Sequence, residues 1–119
     1  MNTDLKLRTK KFSLQILEIV DLLPISIATK VVSYQIAKSG TSVGANYRAS
    51  CRSRSDNEFV SKMNIVLEES DESMFWLEII QEKKWINNEI VDLAWKEANE
   101  LTSIFVAILK NTKSRIYNK

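Results

Sequence analysis

The sequence predicts an all-α protein, an antiparallel up-down-up-down four-helix bundle that takes in residues 1–119 as a single domain. Three observations predict it. Helix-breaking residues are almost confined to two places, since the chain holds one proline, Pro24, and two glycines, Gly40 and Gly44. Apolar residues return at three- and four-residue steps over long stretches, the spacing that lays one stripe along a helix. The period-two alternation and turn clusters that mark strands are absent. A composition of 45% hydrophobic and 27% charged residues is that of a globular chain. No apolar run approaches the roughly 18 residues of a membrane span.

The first helix is expected from about Asp4 to Leu23, with Phe12, Ile16, Ile19, Val20 and Leu23 on one stripe. Pro24 stops it, and Ser26 is placed to cap the next. The second helix is expected from about Ile27 to Arg54, along a line of Val31, Tyr34, Gln35, Lys38, Ser42, Ala45, Ala49 and Arg52. Its centre, Ser39 to Ala45, has poor helix propensity, because each glycine costs about 1 kcal/mol relative to alanine. Either the helix breaks near Gly40, or it continues, bent, with small side chains that admit a close neighbour. The continuous reading is favoured, with Asn46 as a buried polar group fixing register.

Ser55-Asp56-Asn57-Glu58 has the form of a capping box and opens a third helix that runs to about Lys84. Phe59, Met63, Val66, Ser70, Ser73, Leu77 and Ile80 form its stripe. Asn87 or Asn88 caps a fourth helix carrying Ile90, Leu93, Ala94, Leu101, Ile104, Phe105, Ile108 and Leu109. Connections this short join antiparallel neighbours. A second apolar line flanks each of the last two stripes: Phe75, Trp76 and Ile79 on the third helix, Val91, Trp95, Ala98 and Val106 on the fourth. Faces this rich in aromatics predict a subunit interface, with Phe75, Trp76, Ile79 and Trp95 as its expected members.

The chain has no histidine, which removes the commonest general base and metal ligand. Ser-His and Cys-His nucleophilic pairs are excluded, and Gly40 and Gly44 fit no phosphate-loop pattern. No catalytic constellation, metal site or cofactor site is marked, so an enzyme is not expected. The single cysteine, Cys51, makes no internal disulfide and reads as a small buried apolar group. The N-terminal segment MNTDLKLRTKKF lacks an apolar export region, so a cytoplasmic location is expected.

Net charge is only +2, but its layout is uneven. An antiparallel bundle puts the Pro24 loop at one pole and the Arg54–Ser55 turn with both termini at the other. The second pole collects Lys6, Arg8, Arg48, Arg52, Arg54, Lys62, Lys110, Lys113, Arg115 and Lys119 against Asp4, Asp56, Glu58 and Glu68. Cations at the ends of the second and fourth helices also complement their dipoles. That accounts for Arg52, Arg54, Lys113 and Arg115 without a ligand, but not for Lys6, Arg8 or Lys62. Arginine's planar fork suits phosphate, and Arg48, Arg52, Arg54, Lys62, Lys113 and Arg115 are the candidate nucleic-acid contacts. The acidic run Glu68-Glu69-Asp71-Glu72 could gather two carboxylates on one face for magnesium, calcium or manganese. It is read instead as a solvated or ion-paired face.

Gln35-Ile36, then Ser42-Val43-Gly44-Ala45-Asn46, then Arg54-Ser55-Asp56-Asn57-Glu58-Phe59, then Glu72, together resemble a known family. It is the four-helix-bundle family encoded by intervening sequences within bacterial large-subunit ribosomal RNA genes. Many relatives carry Glu-Gly where this chain has Ala49-Ser50. The segments Gly44–Ser50 and Glu68–Glu78 are closer to one branch. The resemblance implies a homo-oligomeric bundle, with a pentameric ring as the expected assembly. More distantly the chain is similar to the accessory bundle protein of diversity-generating retroelements, which is linked with a reverse transcriptase and nucleic acid. That likeness implies RNA as a partner. The alternative is an interaction module whose apolar and acidic faces recruit a protein.

Overall fold

Four helices form, α1 (Asn2–Leu22), α2 (Ile27–Ser50), α3 (Asp56–Lys83) and α4 (Asn88–Tyr117), and their boundaries follow the local chemistry of the chain. The computed structural model describes residues 2–118, with side chains from Leu5 to Asn118. Asp4 and Lys119, counted above among the pole charges, have side chains outside the described residues. Consecutive helices pack side by side and α4 returns to touch α1, which closes an up-down-up-down bundle about 52 Å long.

Pro24 follows α1, and Ser26 caps α2. Its hydroxyl accepts the Thr29 N–H at 3.1 Å, while the Ser26 N–H donates to the Thr29 hydroxyl at 2.9 Å. A reciprocal box therefore stands at Ser26. At Ser55 only half of the expected box forms. The serine accepts the Glu58 N–H at 3.1 Å, but the Glu58 carboxylate faces Arg54 and Lys62. Asn87, rather than Asn88, caps α4 through the Glu89 N–H at 2.9 Å. At the end of α3, Lys84 takes the left-handed conformation at φ 54° and donates its N–H to the Ile80 and Gln81 carbonyls. A left-handed C-terminal residue satisfies carbonyls that the helix leaves open.

Helix α2 ends at Ser50, four residues short of the expected Arg54. Tight i+3 bonds follow, from the Arg52 N–H to the Ala49 carbonyl and from the Ser53 N–H to the Ser50 carbonyl. The Ser50 hydroxyl also donates to the Tyr47 carbonyl at 2.6 Å. Such local bonds compete with helix continuation, so Arg52 and Arg54 sit on a turn rather than a helix face. Elsewhere α2 runs unbroken through both glycines, as expected, and the reason lies in α1. A Cβ on Gly40 would meet three Ile16 carbons at 2.7–2.9 Å, and one on Gly44 would meet the Ser13 hydroxyl at 2.7 Å. The Ser13 hydroxyl bonds the Gly40 carbonyl at 2.8 Å across this close approach.

The stripes expected for α1 and α3 are buried: Phe12, Ile16, Ile19 and Leu23, then Met63, Val66, Ser70, Ser73, Leu77 and Ile80. Val20 and Phe59 are half-buried at the margin. On α2 the buried line is a neighbouring one, through Thr29, Val32, Ile36, Ser39, Gly40, Val43, Tyr47 and Ser50. Val31 and Tyr34 are 56% and 66% exposed. On α4, Val91 and Ala98 lie in the core, while Ile90 and Leu93 face outward. On α4 two adjacent apolar lines compete, and the shape of the neighbours selects between them. On α2 the buried line includes Ser39, Gly40 and Ser50, small residues that carry little apolar signal. Asn46 does not lock register between helices; its amide donates to the Ser42 carbonyl of its own helix at 2.9 Å.

Large rings fill the core at the α2–α4 diagonal, where Tyr47 and Phe105 stack with centroids 6.2 Å apart. Burial first, and then the Cys51 thiol, push the Tyr47 phenol above its ordinary range. Small polar residues fill the tighter places. The Ser73 and Ser39 hydroxyls lie 3.0 Å apart, and the Ser70 and Thr102 hydroxyls 2.6 Å apart. The hydroxyls of Thr102 and Ser73 also reach the Ala98 and Glu69 carbonyls, at 2.7 and 2.8 Å. A buried hydroxyl so bonded avoids the penalty of an unmatched polar group.

Candidate nucleic-acid interface

The six candidate contacts divide by their surroundings. Arg115 reaches Asp56 at 3.1 Å, tying the end of α4 to the start of α3. Arg54 and Lys62 share Glu58 at 3.9 and 3.8 Å. Arg54 is 91% exposed, so its ion pair is loose and screened. Arg48, Arg52 and Lys113 are exposed. Among the described residues, no carboxylate lies within ion-pairing distance of these three.

Arg8 leaves the set of free cations that the charge layout implied. Its Nε and Nη2 donate to the two Glu97 oxygens at 2.8 and 2.7 Å, and Nη2 also lies 2.9 Å from Glu100. Sorting residues by height along the bundle put these carboxylates at the opposite pole. The sorting failed because α1 is 21 residues long and α4 is 30, so their midpoints are offset. Hydrogen bonds to Glu97 and then Glu100 hold the guanidinium charged, above arginine's ordinary range. This clasp joins α1 to α4. Arg8→Ala is expected to lower stability by about 1–2 kcal/mol at low ionic strength and by less in salt. Arg8→Lys should recover only part, because lysine lacks the fork. Urea unfolding at two salt concentrations checks this, and equal stability of all three proteins would refute it.

Two concavities lie near the basic pole. One, of about 800 Å³, opens under the Arg54–Ser55 turn between Tyr47, Cys51, Ser53, Phe59, Thr112 and Arg115. It lies where α2 and α4 end and α3 begins, so the negative ends of two helix dipoles meet the positive end of a third there. The other, of about 430 Å³, is a groove along α1 and α2 that brings Lys6 and Lys10 beside Arg48 and Arg52. The sequence reading had Lys6 at the pole without assigning it a contact, and it missed Lys10. The signal was the i, i+4 pair of lysines on α1 together with the arginines that close α2 and follow it, and it carries meaning only once the two helices are paired.

The expected interface residues form an aromatic ridge on α3 and α4. The rings of Phe75 and Trp76 meet edge to face at 4.9 Å. Phe75 is 53% exposed, while Trp76, Ile79 and Trp95 lean against the core. The indole N–H groups of Trp76 and Trp95 donate to Glu72 at 3.1 Å and Glu78 at 2.9 Å. Sequence reasoning missed a second apolar line on α1, where Leu7, Leu14 and Leu17 face outward at helical spacing. Cys51 is half-buried at the end of α2. Among the described residues, no three carboxylate or thiol groups converge on a point where a metal could sit, and no helix is long and apolar enough to cross a membrane.

Comparison with known proteins adds two findings. The profile of the 23S rRNA-intervening sequence protein family matches residues 2–107. The chain also matches the 1.70 Å crystal structure of a protein of unknown function from the S23 ribosomal protein family of Bacteroides thetaiotaomicron. The TM-score is 0.82 and the identity 30%, over 89% of this chain and 98% of that one. No curated protein matches.

Proposed function

The chain belongs to the 23S rRNA-intervening sequence protein family, and from that premise we propose that it is a non-enzymatic homo-oligomer, a pentamer, that binds RNA through its basic end. Arg48, Arg52, Arg54, Lys62, Lys113 and Arg115 contact phosphates, and Phe75, Trp76, Ile79 and Trp95 build the contacts between subunits. The observation that carries this reading is the surplus of exposed cations at one pole, where Arg48, Arg52 and Lys113 have no carboxylate in reach among the described residues. A ring would repeat that pole and add the fields of its subunits. Contacts of this kind neutralise phosphate without reading sequence.

Filter binding to a structured RNA, titrated with salt, tests the proposal. Affinity should fall steeply, with a logarithmic slope of about 0.7–0.9 per phosphate contact. Arg52→Ala/Arg54→Ala should flatten that slope. A salt-independent affinity, or an unchanged slope in the variant, would count against phosphate contacts. Mass measurement in solution tests the pentamer. The exposed Leu7, Leu14 and Leu17 line favours a second reading, a protein-recruiting module, in which binding to partners would survive nuclease treatment.

A further inference from the structure

We propose that the groove between α1 and α2 is the track for the RNA backbone, with Lys6, Lys10, Arg48 and Arg52 as its principal phosphate contacts. The inference rests on the RNA reading above and deepens it by placing the strand. Lys6 and Lys10 lie four residues apart on α1, Arg48 stands in the last turn of α2, and Arg52 follows on the turn just past the end of that helix. For the two lysines, on one helix face, that spacing sets side chains about 5–6 Å apart at Cβ. The cations thus line both walls of one groove of about 430 Å³, with Leu7 and Ala45 between them as an apolar surface. Among the described residues no carboxylate neutralises any of the four.

The groove exists because the helices approach closely. Gly44 has no side chain to hold α2 away from the Ser13 hydroxyl and the Thr9 carbonyl. That approach puts the α1 lysines within reach of the same strand as Arg48 of α2 and Arg52 on the turn after it. The hydroxyls on the groove are not spare donors, since Ser13 bonds the Gly40 carbonyl and Thr41 the Ala37 carbonyl at 2.7 Å. Recognition therefore falls to the cations, which suits an anionic backbone rather than a hydrogen-bonded base. The turn at the pole is poorer ground. Arg54, Lys62 and Arg115 share their charge with Glu58 and Asp56.

The test compares Lys6→Ala/Lys10→Ala with Arg54→Ala/Lys62→Ala, on a fluorescently labelled RNA hairpin, by anisotropy across a salt series. All four residues are at the surface or only half-buried, and both variants should give the circular dichroism spectrum of the unaltered protein, the check that they keep the fold. The lysine pair should lose on the order of tenfold in affinity at low salt, with a salt slope smaller by about 1–2. The turn pair should lose less on both measures. An equal or larger loss in the turn pair, or no loss in the lysine pair, would overturn the groove while leaving RNA binding in place. Failure of the unaltered protein to bind the hairpin would instead overturn the RNA reading and the groove with it.

Discussion

Phe105→Ala should destabilise the protein by about 3–5 kcal/mol, the range for deleting a buried aromatic ring. Phe105 is fully buried on α4 and stacks on Tyr47 of α2, so its ring spans the bundle diagonal. The lost transfer free energy adds to a cavity that four packed helices cannot close by small shifts. Set against a total stability of about 5–15 kcal/mol for a domain, the variant would be marginal at ambient temperature. Tyr47→Phe keeps the ring and should cost much less. Chemical unfolding of all three proteins, at one fixed protein concentration because assembly also contributes, decides it. A loss below about 1 kcal/mol for Phe105→Ala would place the ring outside the core.

Gly40→Ala should also destabilise, although alanine is the better helix former. The gain in helix propensity is about 1 kcal/mol. Opposing it, the new Cβ would lie 2.7–2.9 Å from the Cβ, Cγ1 and Cγ2 atoms of Ile16. Those atoms are close to the α1 backbone and belong to a stiff β-branched side chain that cannot swing away. Overpacking of this kind costs about 1–3 kcal/mol, and against such a stiff neighbour the upper part of that range applies, so the net change is a loss of up to about 2 kcal/mol. A double-mutant cycle with Ile16→Ala isolates the cause. Removing the Ile16 branches should cost less in the Gly40→Ala background than in the unaltered protein. Additive effects would show that the two side chains do not meet.

Much of the fold was legible because it rests on local rules. Pro24, Ser26, Ser55 and Asn87 mark helix boundaries through backbone geometry and capping bonds, which need only neighbouring residues. The stripes of α1 and α3 were legible because their buried residues recur at unbroken helical spacing. On α2 the buried face was misplaced by one line, because Ser39, Gly40 and Ser50 carry little hydrophobic signal yet lie in the core. Their smallness is what the packing needs, and a reading that ranks residues by apolarity passes over them. The end of α2 was extended past Ser50 because the serine bond that stops it competes within a single turn.

The candidate site was legible only in part. A surplus of cations at one pole follows from the order of charges along an antiparallel chain. Which of them are neutralised does not. Arg8 finds Glu97 from 89 residues away, and nothing in the spacing of either residue announces the pair.

The sequence alone determined the four rods, their order and the pole at which basic residues collect, because helix periodicity, capping and short connections act over a few residues. Only the tertiary structure decided which face of α2 and α4 is buried, which cations are paired, and that α1 and α2 close on Gly40 and Gly44 to form a groove. Those outcomes depend on the fit of side chains from distant segments and on carboxylates brought within about 3 Å of a guanidinium. Neither is encoded in any local stretch of the chain.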